Sequence, residues 1–269
     1  MSQSLRYVNN LQRRRVLVFG GTSGIGFCTA EAALENGAEV IISSSNPEKI
    51  TRSLERLRSG AAAKGIGDTA QISGYACDLG DAAKVEENPV KTLDAATENG
   101  TRPLDHVAFS AGSLLKVPKI PEITVEDFHH LTQVRLVAPM ILAKLLPRYM
   151  HQSVSSSLTL TSGTVGDRPL PGWAAISSCS AAVEGLGRGL ALDLKPIRVN
   201  TVSPGAVNTE IFSDIPEDRL PLALENFKKS SLTNTVGTPE ELAETYIYCM
   251  RNTFTTSSVI VADGGRIVA

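Results

Sequence analysis

The stretch Val16-Leu17-Val18-Phe19-Gly20-Gly21-Thr22-Ser23-Gly24-Ile25-Gly26 constrains the fold more than any other. Its apolar run reads as a buried strand, its glycines as a tight turn, and the residues from Ile25 onward as a helix. In that setting glycines let backbone N–H groups and the helix N-terminus approach a pyrophosphate. Gly20, Thr22, Ser23, Gly24, Ile25 and Gly26 are therefore expected to hold a dinucleotide. Outside a strand–turn–helix context the same glycines would mark only a tight turn.

The alternation continues along the chain. Strands are expected over 16–19, 39–43, 71–76, 106–110, 157–161, 198–202 and 258–261. Helices are expected over 25–36, 47–59, 82–99, 124–150, 174–194 and 239–251. Strands separated by helix-length segments need crossover connections, and short apolar runs such as VLVF and EVII suit a sheet covered on both faces. The expectation is α/β, one domain over 1–269, with a doubly wound parallel sheet of about seven strands. Gly37 and Gly100 read as helix stops, and Asn46-Pro47 and Thr238-Pro239 as starts. Residues 206–238 carry no clear element and read as a segment covering the substrate.

A formal charge of −2 gives no general attraction to nucleic acid or to anionic membranes. Arg13-Arg14-Arg15 reads as a solvated turn before the first strand. Cys28, Cys77, Cys179 and Cys249 form no CxxC pair and read as buried, reduced thiols. The N-terminal stretch 1–15 has no apolar leader region, and no apolar run is long enough to span a bilayer, so the expected location is cytoplasmic.

The second expected strand runs into Ser43-Ser44-Ser45-Asn46, where a carboxylate would bind the ribose hydroxyls of NAD. None stands there to repel a 2′-phosphate. Hydroxyls from Ser43, Ser44 and Ser45, the Asn46 amide and Lys49 favour NADP(H). The alternative is an ordinary polar loop.

Several further stretches resemble the short-chain dehydrogenase/reductase family, in order, from Val16 to Gly265. They are Cys77-Asp78-Leu79, Phe109-Ser110-Ala111-Gly112, Arg198-Val199-Asn200-Thr201-Val202-Ser203-Pro204-Gly205 and Ala262-Asp263-Gly264-Gly265. The resemblance implies a Rossmann fold with Asp78 and Leu79 beside the adenine, and Ser110, Ala111 and Gly112 beside the ribose. It places Pro204, Gly205, Val207 and Thr209 beside the nicotinamide end. It also implies a homodimer or homotetramer built on the helices expected over 124–150 and 174–194.

The family's usual chemistry uses a Tyr as acid, a Lys that lowers its pKa, a Ser and an Asn. Matching Ser180-Ala181-Ala182-Val183-Glu184-Gly185-Leu186 to the family's Lys-Ala-Ala-Val-Glu-Gly-Leu puts Ile176 at the Tyr and Ser180 at the Lys. Arg135 stands where the Asn would be, and Ser162 survives. Neither Ile176 nor Ser180 can supply the missing acid. Arg135 and Trp173 are the candidates to meet an aromatic or amide-bearing substrate; as bland alternatives, one pairs with a carboxylate and the other fills a core gap.

This combination, with Pro169-Leu170-Pro171-Gly172-Trp173, is similar to atypical short-chain reductases of fungal prenylated-indole alkaloid pathways, of the malbrancheamide and paraherquamide type. That resemblance implies an NADPH-dependent iminium reductase and intramolecular Diels–Alderase acting on an alkaloid-like, cyclic-dipeptide-derived small molecule. Those enzymes carry Pro-Asp-Pro-Gly-Trp; here Leu170 replaces the Asp, and Asp167 is the carboxylate available to compensate. Two other readings stay open: a redox-neutral cyclase or isomerase using the pocket as scaffold, and a non-catalytic nucleotide-binding protein.

Overall fold

A computed structural model describes residues 11–66, 71–112 and 119–269. Residues 1–10, on which the expectation about a leader region falls, lie outside them. Seven strands form one sheet: β1 (Arg15–Phe19), β2 (Glu39–Ser44), β3 (Ile72–Ala76), β4 (His106–Phe109), β5 (Ser157–Thr161), β6 (Arg198–Pro204) and β7 (Val259–Ala262). All pairs are parallel, in the order β3-β2-β1-β4-β5-β6-β7. The expected doubly wound sheet is therefore present. The chain reverses direction across the sheet between β1 and β4, the switch point beyond whose strand ends sheets of this kind bind their ligands.

Strand alternation sorts the core into two layers. Leu17, Phe19, Val107, Leu158 and Leu160 face α3 (Glu87–Thr97), α5 (Ala138–Tyr149) and α6 (Ala174–Asp193). Val16, Val18, Val40, Ile42 and Val202 face α1 (Gly24–Glu35), α2 (Pro47–Ala63) and α8 (Pro239–Arg251). Asn46 caps α2 by accepting from the Lys49 N–H, and Thr238 and Glu241 form a reciprocal capping box on α8, so both expected starts hold.

Several elements differ from expectation. The helix expected over 82–99 begins only at Glu87, with Pro89 in its first turn, where a missing N–H costs nothing. Its end uses two non-glycine left-handed residues, Glu98 and Asn99, before Gly100. The single helix expected over 124–150 is α4 (Val125–Thr132) and α5 joined by a π-turn, Gln133–Val137. The segment 206–238 carries a 3-10 turn, Glu210–Asp214, and the helix α7 (Leu220–Lys229).

The basic run is not simply solvated. Arg13 is exposed, but Arg14 pairs with Asp105 at 2.7 Å, and Arg15 pairs with Glu39 at 3.0 Å while donating to the carbonyls of Ala96 and Arg102. All four cysteines are free; Cys77, Cys179 and Cys249 are buried and Cys28 is half-buried. Among the described residues no helix is long and apolar enough to cross a membrane, and no cluster of ligating side chains could hold a metal.

His106, at the start of β4, is buried with Nδ1 2.9 Å from Ser157 Oγ. Burial pushes its pKa down to about 3, against an opposing influence from Asp105. The unfolded chain takes up a proton near pH 6.5 and the folded chain does not, so stability is complete above that pH and falls as pH drops toward 3. A loss of about 2 kcal/mol is expected between pH 6.5 and pH 5. Urea unfolding at the two pH values should show this loss in the wild type and a flatter response in His106→Asn.

Candidate active site

Gly20 follows β1 with φ +82° and donates to the Ser43 carbonyl at 2.8 Å. A Cβ on Gly20 would stand 2.7 Å from Ala111 N, so the turn after β1 rests directly on the end of β4. The Ser110 hydroxyl completes that junction by donating to the Phe19 carbonyl at 3.1 Å. Thr22 is buried, with its carbonyl accepting from Ser53 Oγ at 3.1 Å. Ile25 packs on the core layer beneath α1.

Helix α1 starts at Gly24 with φ +48°. Ser23 occupies the N-cap, but its side chain makes no capping bond, and no acidic residue stands in the first turn. The first N–H groups of α1 thus have no side-chain cap beside close-packed glycines, which fits the pyrophosphate of a dinucleotide. Thr209 reaches the same corner, with Cγ2 3.1 Å from where a Gly24 Cβ would be.

At the end of β2, Ser43 is buried and its hydroxyl has no partner within the structure, whereas Ser44 is half-buried and Ser45, Asn46 and Lys49 are exposed. The Asn46 side-chain oxygen is committed to the cap of α2. That bond leaves the Asn46 amide N–H groups, with Ser44, Ser45 and Lys49, at the accessible end of β2. Asp78 is exposed, its carboxylate accepting from the Gly80 N–H at 2.9 Å. Leu79 is buried, and its carbonyl accepts from Gln133 at 3.2 Å, which ties the π-turn to the end of β3.

Arg135 sits in that π-turn, a helical irregularity often found at functional sites. A Cβ on Gly112 would be 3.0 Å from Cζ, Nη1 and Nη2 alike, so the guanidinium lies flat across Gly112. Burial lowers the Arg135 pKa, and nearby Cys179 opposes that shift. Burial likewise raises the Cys179 pKa, with Arg135 pulling it down.

The apolar replacement at the expected acid position is closed rather than open. Ile176 is buried with Leu131 and Ala175, and Ile123, Val165 and half-buried Trp173 pack against them. Trp173 stands at the N-terminus of α6. Ser180, at the expected Lys position, lies against the 163–166 turn, its Cβ 3.3 Å from where a Gly166 Cβ would be. Asp167 is exposed and only its backbone N–H is engaged, with the Thr164 carbonyl at 3.2 Å. Half-buried Leu170 stands between it and Trp173.

Pro204 ends β6 and accepts from the Thr164 N–H at 3.0 Å, and Gly205 packs within 2.8 Å of Asp263 at its Cβ position. Val207 is buried and bridges to Gly237. Asp263 accepts from the N–H groups of Gly265 and Ile267, so the terminal Ala-Asp-Gly-Gly stretch is a turn closing on itself. A groove of about 600 Å³ between α1, α2 and α8 shares no residue with the Arg135 and Trp173 region, and a smaller one of about 260 Å³ reaches Gly24 and Thr209.

One residue was not singled out from sequence. Glu184 on α6 is buried, and its Oε1 accepts from Ser162 Oγ at 3.0 Å and from Ser203 Oγ at 3.2 Å. The available signal was a charge on the apolar stretch Ala181-Ala182-Val183-Glu184-Gly185-Leu186.

Comparison with known proteins agrees with this fold. A family model described as an SDR-like Rossmann domain matches residues 7–269. The short-chain dehydrogenase/reductase ucsE of Acremonium sp. is 39% identical over 264 residues, covering 98% of this chain and 99% of its own. The short-chain dehydrogenase/reductase malC of Malbranchea aurantiaca is 38% identical over 268 residues, covering 100% of both chains. The solved structure of MalC reductase/Diels–Alderase from that organism matches with a TM-score of 0.89 at 37% identity, over 97% of this chain and 99% of that one. With the glycine turn at the switch point of a seven-stranded parallel sheet and likeness over its full length, the chain belongs to the short-chain dehydrogenase/reductase family.

Proposed function

We propose that this chain is an NADP(H)-dependent reductase of an imine or iminium group in fungal secondary metabolism, and that its pocket also directs an intramolecular [4+2] cycloaddition. One observation carries the reading: the glycine cradle for a dinucleotide is intact, while the acid position holds Ile176 buried in an apolar cluster. When bound, the cofactor supplies a hydride. A carbonyl acceptor would need a proton for the resulting alkoxide, and neither Ile176 nor Ser180 can provide one. A C=N carbon that already carries positive charge builds no alkoxide.

In this reading Arg135 donates to an amide carbonyl of an alkaloid-like substrate, and Trp173 offers it an aromatic face. Ser44, Ser45, the Asn46 amide and Lys49 hold the 2′-phosphate, Asp78 and Leu79 flank the adenine, and Ser110 to Gly112 flank the ribose. Val207 and Thr209 lie at the nicotinamide end, and residues 206–238 of the single domain cover the substrate. Ring closure requires only that diene and alkene be held together in a shaped pocket. Asp167, exposed in its turn, takes no part, and Leu170 adds apolar wall. The Malbranchea protein, named as a reductase and Diels–Alderase, supports the pairing of activities. A homodimer or homotetramer through α4 to α6, in the cytoplasm, completes the proposal.

The test is NADPH deuterated at C4 of the nicotinamide, offered with a cyclic-dipeptide-derived imine. Deuterium is expected in the amine product. Absence of transfer, with a product ratio indifferent to the nucleotide, would overturn the reductase assignment in favour of a redox-neutral cyclase. Arg135→Ala should lower kcat/KM about 10- to 100-fold in steady-state kinetics, the worth of one hydrogen bond from a charged donor.

A further inference from the structure

We infer that Glu184 sets the hydrogen-bond polarity of Ser162, turning it into an acceptor toward the cleft, so that the group it receives is an N–H or a cationic nitrogen rather than a carbonyl oxygen. The inference rests on the reading of the cleft given above and refines its substrate class.

A serine hydroxyl has one proton and two lone pairs. Ser162 follows β5 at the edge of the crevice, half-buried. Both partners of its hydroxyl lie inward and both are pure acceptors: Glu184 Oε1 at 3.0 Å and the Val202 carbonyl at 3.5 Å. The proton is therefore directed into the protein, and what remains for the cleft is lone-pair density. Ser203 cannot reverse this, because its own proton goes to the same Glu184 oxygen at 3.2 Å.

Glu184 is expensive to keep. It is 7% exposed, on a helix whose neighbouring positions Val183 and Gly187 are buried, and an apolar residue would suit that face better. Two hydroxyl donors on one oxygen compensate for its burial, and the arrangement locks their orientation. It also stands one helical turn beyond Ser180, so a carboxylate that follows a Lys in the family's stretch follows here a neutral hydroxyl.

The consequence is a complementary pair of groups. Arg135, flat on Gly112, can only donate. Ser162, oriented by Glu184, can only accept. An amide-bearing substrate whose reacting nitrogen is protonated or cationic satisfies both, whereas a ketone presented to Ser162 would set lone pair against lone pair. Glu184 acts through Ser162 and is a positioning residue.

Trp173 is the only tryptophan in the chain and packs beside Ile176, so its fluorescence reports binding without turnover. The probes are a proline-derived bicyclic tertiary ammonium and its neutral ketone isostere, neither carrying an indole. Wild type should bind the ammonium at least tenfold more tightly than the ketone. In Glu184→Gln the amide can donate to Ser162 and free its proton, and the preference should shrink about tenfold with the melting temperature held within a few degrees. Ser162→Ala should lose the same preference, and adding Glu184→Gln to it should change nothing more. A preference for the ketone in wild type, or an ammonium preference that survives in Ser162→Ala, would overturn the inference. An equal loss of affinity for both probes in Glu184→Gln would also overturn it, by showing a purely structural carboxylate. Because these are equilibrium constants, a preference that appears without deuteride transfer would sink the reductase reading and leave this one standing.

Discussion

Gly26→Ala is expected to abolish binding of the nicotinamide cofactor and to destabilise the fold. A Cβ at this position would lie far inside van der Waals contact with the Gly20 carbonyl oxygen and Ser110 Oγ, and 2.9 Å from the Gly20 carbonyl carbon. Neither obstacle can yield cheaply. The Gly20 backbone is held in a left-handed conformation by its bond to Ser43, and Ser110 is held by its bond to Phe19. The first turn of α1 must then lift away from β1 and β4, which moves the N–H groups that would face the pyrophosphate. Overpacking of this kind costs about 1–3 kcal/mol of stability. NADPH affinity, read by calorimetry, should fall at least about 100-fold, since the charge-assisted contacts depend on position. Gly60→Ala serves as the control. Its Cβ would meet only Glu31 Oε1 at 3.4 Å, and relief of a helical glycine should leave stability unchanged or raise it by about 0.5–1 kcal/mol. A Gly26→Ala protein that binds NADPH normally would show that the cradle is not the dinucleotide site.

The second large effect is expected at Arg198, at the start of β6. Its side chain is buried and saturates four carbonyls: Val154 at 2.7 Å from Nε, Cys249 at 2.7 Å and Thr255 at 3.1 Å from Nη1, and Met250 at 2.9 Å from Nη2. Cys249 and Met250 are in the last turn of α8, where carbonyls have no intrahelical partner. One guanidinium therefore caps a helix and fastens it to the sheet. Arg198→Leu would leave these carbonyls buried without donors. The expected loss is about 3–5 kcal/mol, a large share of the total stability of an ordinary domain. Denaturant unfolding should show it directly, and cofactor affinity measured below the transition should change little, because Arg198 lies at the opposite end of the strands from Gly20. A loss under 1 kcal/mol would mean that water replaces the guanidinium.

Much of the architecture was legible because its causes are local. The apolar runs of β1, β2 and β5 and the punctuation at Gly37, Asn46-Pro47 and Thr238-Pro239 report their own backbone states. Where the reading failed, the cause was weak local signal. Helix α7 has a half-buried stripe, Leu220, Ala223, Leu224 and Phe227, but it is short, none of its residues is fully buried, and Pro221 at its start resembles a loop residue. The helix expected from residue 82 overlooked Pro89, which has to stand in a first turn. The π-turn at Gln133–Val137 has no compositional mark, since one inserted residue leaves the helical pattern intact on both sides.

The candidate site divides along the same line. Losing Tyr and Lys at positions 176 and 180 is a fact of residue types, visible without coordinates. That Ile176 seals itself against Leu131, Val165 and Trp173, instead of facing open space, depends on helices far apart in the chain.

From sequence alone come the parallel α/β sheet, the glycine turn at its switch point, the carboxylate-free end of β2 and the missing acid. Each is carried by residues adjacent in the chain or repeating at a strand or helix period. Only the tertiary structure decided that Arg135 lies across Gly112, that Arg15 pairs with Glu39, and that the Ser162 proton points to Glu184. Those outcomes are choices among hydrogen-bond and packing partners distant in sequence, and burial, which makes an unmet polar group costly, selects between them.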